Sequence, residues 1–148
     1  MSSGVKVDPE CIEAFNQFKL GKKDAFLLFG FNQNATKIIV LHKEAKLPDD
    51  QKKTKNEQWD NLVSMLPDND VRYAVADVHY NTSEGPRTDM VFVTWAPETA
   101  TIKQRMLMAS SKDALKNALV GCRTTIQACC YPDLDLKAVV DKFKGTLE

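Results

Sequence analysis

Long apolar runs are missing from this chain. None approaches the roughly 20 residues that a membrane-crossing helix needs. The opening residues, MSSGVKVDPE, lack the apolar core of a secretory signal, so the expected compartment is the cytosol. Surplus charge is missing too. Lys plus Arg number 20 and Asp plus Glu number 20, for a formal net charge of +0, which excludes a bulk nucleic-acid binder but not a local basic patch. Histidine is scarce, and the 4 cysteines contain no C-x-x-C pair. His42 and His79 are remote in sequence from Cys11, Cys122, Cys129 and Cys130, so this spacing gives no reason to expect a metal site. Adjacent cysteines rarely bridge each other, and the expectation is free thiols in a reducing compartment. There is no P-loop, no G-x-G-x-x-G and no G-x-S-x-G.

What is present suits one soluble domain. The chain has 148 residues, 43% hydrophobic and 27% charged, enough for a real core. Residues 1–7 read as a flexible tail and residues 8–148 as the domain. Asp8 and Pro9 make a helix start and Gly21 a stop, with Ile12, Phe15 and Phe18 at helical spacing. Residues 25–31 and 36–43 read as a strand hairpin. The polar stretch 44–56, with Pro48, Lys52, Lys53 and Lys55, reads as a loop; its lysines are too interrupted for a firm nuclear signal. A short helix over 57–66 follows, then strands over 72–80 and 90–95. A short strand over 125–129 and a terminal helix over 136–143, capped by Asp133 or Asp135, close the chain. This order predicts an α/β (α+β) domain, with a central mixed sheet flanked on both faces by helices.

The stretch 99–121 carries the functional reading. It has Pro97 and Thr99 before it, Gly121 after it, and no internal Gly or Pro. At about 100° per residue, Leu107, Met108, Ala114, Leu115, Ala118 and Leu119 form a core side. The other side holds Ile102, Arg105, Met106, Ala109, Lys112, Asp113 and Lys116. Apolar side chains set among cations form a protein-binding ridge or lie under another element, and periodicity leaves both open. Ser110 and Ser111 mark a place where hydroxyls bond back and bend the helix. Enzymatic signals are weak. The two histidines sit in predicted strands without a nucleophile beside them, and Asp68 and Asp70 occupy a turn where they bond their own backbone. No cofactor is implied, and the chain is not read as an enzyme.

Several stretches together resemble the actin-depolymerising factor/cofilin family. They are Ser3-Gly4-Val5 before Asp8-Pro9; Leu20-Gly21-Lys22-Lys23; Asp70-Val71-Arg72-Tyr73-Ala74; and Val91-Phe92-Val93-Thr94-Trp95-Ala96-Pro97. The most specific is Met106-Leu107-Met108-Ala109-Ser110-Ser111-Lys112-Asp113-Ala114-Leu115. The resemblance implies the family's fold, a monomer that binds actin monomers and filaments, preferably with ADP bound, and the severing and disassembly of filaments. It implies that the long helix lies in a cleft of actin. Lys103 and Arg105 match the two basic positions there and Met106 the apolar one, with Ile102, Ala109 and Lys112 beside them and Ser3, Gly4 and Val5 contributed by the tail. Ser3 matches a serine whose phosphorylation, set by a kinase and a phosphatase, switches members off. Lys103, Arg105, Lys112 and Lys116 are the matching cations for phosphoinositide head groups. Lys103 and Arg105, about 200° apart, flank the ridge on different sides.

The filament-specific surface departs from the family pattern. Arg87 matches one of two basic positions, and Asp89 stands where the second is expected. Asp141 and Lys142 fit an acidic-basic pair in the terminal helix. Gly145 falls where a further cation can sit, with Lys144 as a neighbouring substitute. Residues 48–55 form a longer insertion than in compact members. Two alternatives stand beside the main reading. One is a filament side-binder of the same fold that does not sever. The other is a small cytosolic thiol enzyme using Cys129 or Cys130.

Overall fold

The computed structural model describes residues 4–21, 24–48, 56–122, 124–143 and 145–146. Its elements in chain order are β1 (Lys6–Val7), α1 (Pro9–Gly21), β2 (Asp24–Phe31), β3 (Lys37–Ala45), α2 (Glu57–Ser64), β4 (Arg72–Thr82), β5 (Gly85–Trp95), α3 (Ile102–Ala118), β6 (Thr124–Ala128) and α4 (Leu136–Asp141). The strands form one sheet in the order β1-β3-β2-β4-β5-β6. The β2–β3, β2–β4 and β4–β5 pairs are antiparallel, while β1 joins β3 and β6 joins β5 in parallel. This is the expected mixed sheet with helices on both faces.

The central strands are apolar on both sides because both sides are covered. On one face Phe26, Leu28, Ala76, Val91, Val93 and Ile126 pack with Trp59 and Leu62 of α2 and Val139 and Val140 of α4. On the other, Leu27, Phe29, Val75 and Phe92 pack with Phe15 and Phe18 of α1 and Met108 and Leu115 of α3. Buried polar handles find partners, as they must in a dry core. Tyr73 Oη donates to Met108 O at 2.6 Å, Trp59 Nε1 to Leu134 O at 2.8 Å and Trp95 Nε1 to Pro67 O at 2.6 Å. Burial pushes the Tyr73 phenol well above its ordinary range.

Several boundaries move. Residues 5–7 are not a free tail: Val5 is buried, and Lys6 and Val7 pair with Lys37 and Ile38. Two residues are too few for alternation to announce a strand. The strand expected over 90–95 begins at Gly85, because the β4–β5 ladder runs unbroken to the Thr82–Gly85 pair. Its outer half is polar and exposed, so apolar patterning does not reveal it. Helix α2 stops at Ser64 and α4 at Asp141. A short 3-10 turn, Tyr131–Leu134 with Pro132 in its first turn, precedes α4. Asp135 sits at the cap position of α4 without a side-chain cap bond, and the Asp133 carboxylate instead accepts from Cys129 N at 3.0 Å.

Candidate protein-binding surface

Helix α3 starts at a capping box rather than at Thr99. Thr101 Oγ1 accepts from Gln104 N at 3.0 Å, and Gln104 Oε1 accepts from Thr101 N at 2.8 Å. The Thr99 hydroxyl donates instead to Asp68 O. Gln104 also donates through Nε2 to Asp70 Oδ1 at 3.0 Å. The other Asp70 oxygen accepts from Arg72 Nη1 at 2.9 Å. The turn after α2 therefore holds the first turn of α3 in place. The Thr-x-x-Gln spacing is legible in sequence; the bridge to Asp70 is not.

The faces of α3 are now assigned. Met108, Ser111 and Leu115 are buried, followed by Leu119 after the helix. Ser111 replaces Ala114 on the core side: it is 0% exposed, while Ala114 faces solvent. At about 100° per residue, Ser111 lies at the edge of the buried sector and Ala114 beyond it; residue type had suggested the reverse. The helix is continuous through both serines, and Ser110 Oγ donates to Leu107 O at 3.1 Å. Ile102 and Met106 are exposed by 67% and 66%, and Ala109 is also exposed. No described residue covers them. Lys103 and Lys116 are exposed, and Arg105 and Lys112 are half-buried on the opposite flank from Lys103.

Arg105 and Lys112 line a cleft of about 400 Å³ between α3 and β6, with Thr94, Ala109, Gln127 and Cys129 on its walls. Arg105 Nε is buried there without a hydrogen-bond partner among the described residues. A buried donor left unpaired costs about 1–3 kcal/mol, more when charged. The N-terminal segment comes to the same helix, since β1 lies against α3 and Val5 shares a core cluster with Met108. Gly4 is exposed with φ 79°, a left-handed value that glycine adopts freely. Ser3 lies outside the described residues, as do Lys144, Lys22, Lys23 and the lysines of the 49–55 loop.

A second group gathers at the β4–β5 hairpin. Arg87 is exposed and pairs across the ladder with Tyr80, whose ring stacks on Phe143 with centroids 5.0 Å apart. Asn81 and Thr146 exchange backbone hydrogen bonds of 2.9 Å. This brings the chain after α4, with exposed Asp141 and Lys142, to the hairpin. Nine residue steps along β4 separate Tyr73, under α3, from Thr82 at the tip, a span of about 30 Å. The two groups are distinct surfaces. Asp89 receives a hydrogen bond from Tyr80 Oη. Gly145 is no vacant position for a cation: a Cβ there would lie 2.3 Å from Tyr80 Cδ2.

The histidines and thiols lie away from the outward face of α3 or at its border. His42 Nε2 pairs with Glu44 Oε1 at 3.0 Å and His79 Nδ1 with Thr88 Oγ1 at 2.8 Å. All four thiols are free. Burial, aided by Asp8 and Glu10, pushes Cys11 up to about 12, and burial with Asp77 pushes Cys122 up to about 11. The Cys129 thiol is raised because it donates to the Asp133 carboxylate, and Asp133 is lowered chiefly by the Cys129 N–H. A nucleophilic thiol needs the opposite shift. The fold nonetheless gathers Cys129, Cys130 and Asp133, a cluster that a search for C-x-x-C passes over.

A sequence model described as cofilin/tropomyosin-type actin-binding protein matches residues 4–144. The cofilin of Schizosaccharomyces pombe is 39% identical over 140 residues, covering 95% of each chain. That of Eremothecium gossypii is 43% identical over 143 residues, covering 95% of this chain and 92% of its own. The crystal structure of Streptomyces griseoflavus cofilin superposes with a TM-score of 0.80 at 35% identity, covering 94% of this chain and 96% of that one.

Proposed function

Because this chain belongs to the cofilin/tropomyosin-type actin-binding family, its partner is actin, and we propose that it engages actin through α3 and disassembles filaments by severing them. The observation that carries this reading is the outward side of α3. Two large apolar side chains, Ile102 and Met106, stand two-thirds exposed between Lys103 on one flank and Arg105 and Lys112 on the other. An apolar anchor with a cationic rim suits a cleft in an acidic partner. Gly4, exposed just before β1, borders that surface, while Val5 is buried beneath it and serves the core instead. Binding would offer Arg105 Nε the acceptor it lacks.

The regulatory reading follows from the same charges. A phosphate on Ser3 would add about −1.5 to −2 charge to a chain whose cations must meet actin, so it would oppose binding. Lys103, Arg105, Lys112 and Lys116 are the cations that phosphoinositide head groups would share with actin. Arg87, Asp141 and Lys142 form the proposed filament-specific surface at the other end of the sheet, with Lys144 assigned to it by the family resemblance alone. The setting is the actin cytoskeleton.

Co-sedimentation with filaments, together with a monomer-binding titration, tests the proposal. Lys103→Ala with Arg105→Ala should weaken both interactions while leaving the thermal transition in place; unchanged affinity would move the site off α3. Ser3→Glu should lower activity, and a fully active variant would remove the tail from regulation. A second reading, side-binding without severing, is favoured by Asp89, which leaves the hairpin less basic than the family pattern. Imaging of single filaments separates the two, since a side-binder leaves no breaks.

A further inference from the structure

The geometry points to a metal-binding function beside the proposed actin surface: we propose that Cys129, Cys130 and Asp133 form an exchangeable site for one thiophilic divalent cation of the zinc class. Their ligand atoms, two sulfurs and a carboxylate oxygen, lie within 4.8 Å of one another. That spread closes to a coordination sphere with small side-chain rotations, since Zn–S bonds are about 2.3 Å and Zn–O bonds about 2.0–2.2 Å.

Three features hold the donors together. Asp133 Oδ2 accepts from Cys129 N at 3.0 Å and from Cys129 Sγ at 3.5 Å, which keeps the carboxylate against the first sulfur. Asp133 N donates to Cys130 O at 3.1 Å, closing the turn around Pro132. Tyr131 anchors that turn by donating to Leu66 O at 2.8 Å and by packing its ring on Trp95. The cysteines also resist consuming each other. Adjacent Cα atoms are about 3.8 Å apart, below the roughly 4.4–6.8 Å that a relaxed disulfide spans. The pair therefore persists as a dithiol, the form a metal takes.

The donor set defines the ligand. Two thiolates select a soft or borderline ion over Mg²⁺ or Ca²⁺. Binding releases the two thiol protons to solvent and forms two metal–sulfur bonds and one metal–oxygen bond. Two thiolates and a carboxylate around a divalent ion leave one excess negative charge. Arg105 and Lys112 line the same cleft as Cys129 and offset it. Three protein donors leave the fourth position to water, so the ion exchanges rather than staying locked as in a closed four-ligand site.

The test titrates the full chain, reduced by a non-thiol reagent, with Cd²⁺ as a spectroscopic stand-in and with Zn²⁺ in competition with a chromogenic chelator. The expected result is one ion per chain, with a sulfur-to-cadmium charge-transfer band. Cys129→Ser with Cys130→Ser should abolish the band, and so should alkylation of the exposed thiols in the native chain. Asp133→Asn should weaken Zn²⁺ binding about tenfold or more. Four results would overturn the proposal: no band at one equivalent; a band surviving the double substitution, which would assign it to Cys11 or Cys122; one ion per two chains; or an affinity indifferent to Asp133→Asn. Actin binding enters none of these readouts, so the metal site stands or falls separately.

Discussion

Ile102→Ala with Met106→Ala separates an interface from a core. In the free protein these side chains are exposed by 67% and 66%, so removing them takes little from folding. Surface substitutions of that kind shift stability by about 0.5 kcal/mol or less. Against actin the arithmetic reverses. Fully burying such a side chain contributes about 1.5–3 kcal/mol, and two-thirds of that is about 1–2 kcal/mol each. If actin covers the exposed part of both, the pair contributes about 2–4 kcal/mol, or a roughly 30- to 700-fold loss of affinity. The assay is monomer binding followed by fluorescence, with thermal unfolding on the same samples. Met108→Ala is the internal control. Met108 is 2% exposed, on the opposite side of the same helix. Its truncation should cost about 2–5 kcal/mol of stability and lower Tm by about 5–15 °C. An Ile102/Met106 variant that binds actin within threefold of wild type would refute the assignment of this face. One that loses Tm as Met108→Ala does would show that the two residues belong to the core.

Gly145→Ala should destabilise by about 1–3 kcal/mol by overpacking, because its Cβ meets the Tyr80 ring at 2.3 Å and that ring is stacked on Phe143; thermal unfolding reads this, and an unchanged Tm would show that residues 143–146 are not held at the hairpin. Thr101→Ala removes half of the capping box and should cost about 0.5–2 kcal/mol, with actin affinity falling as the first turn of α3 loosens; calorimetry and the binding titration read the two effects. Alkaline pH should destabilise the fold. Cys11 and Cys122 keep their protons to about 12 and about 11 when folded, against 9.0 for an unperturbed thiol, so above that value the unfolded chain releases protons that the folded chain retains and stability falls with rising pH. Thermal scans from neutral to strongly alkaline pH should show a steeper loss for wild type than for Cys11→Ala. Asp133→Asn should lower the Cys129 pKa by removing the carboxylate acceptor and so speed its alkylation at mildly alkaline pH, read by mass spectrometry.

The parts of the fold that were legible are those whose burial leaves a period in the residues. Strands β2 and β4 carry continuous apolar stretches, and α1 begins at Asp8 and Pro9 and ends at Gly21. The parts that were not legible are held by backbone pairing or by distant partners. The outer half of β5 is polar because only its ladder to β4 keeps it extended. Strand β1 exists because the edge of β3 has backbone groups to offer Lys6 and Val7. Gly145 reads as a missing cation in sequence and as a required absence of side chain in space. The candidate site divides in the same way. Ile102, Arg105 and Met106 were read from the helix and Lys103 from the family resemblance; Ile102, Lys103 and Met106 are exposed, and Arg105 is half-buried. The cleft shared by Arg105 with β6 and the bridge from Gln104 to Asp70 needed the fold.

Periodicity could not decide between core and interface along α3, because both are apolar. The sheet decides it. The buried positions Met108, Ser111, Leu115 and Leu119 are spaced 3, 4 and 4 residues apart, a narrow seam rather than a wide stripe. A seam that narrow accepts a serine at one edge and leaves Ala114 exposed and Ala118 half-buried. It also begins late, since no side chain from residue 102 to residue 107 is fully buried. The first turn and a half of α3 adds almost nothing to the core. The Thr101–Gln104 box and the Asp70 bridge hold it instead. A polar-anchored helix start bearing Ile102 and Met106 has no folding reason to be apolar. Its residues gain their free energy only when a partner covers them, and this is the argument for proposing the first half of α3 as the actin contact.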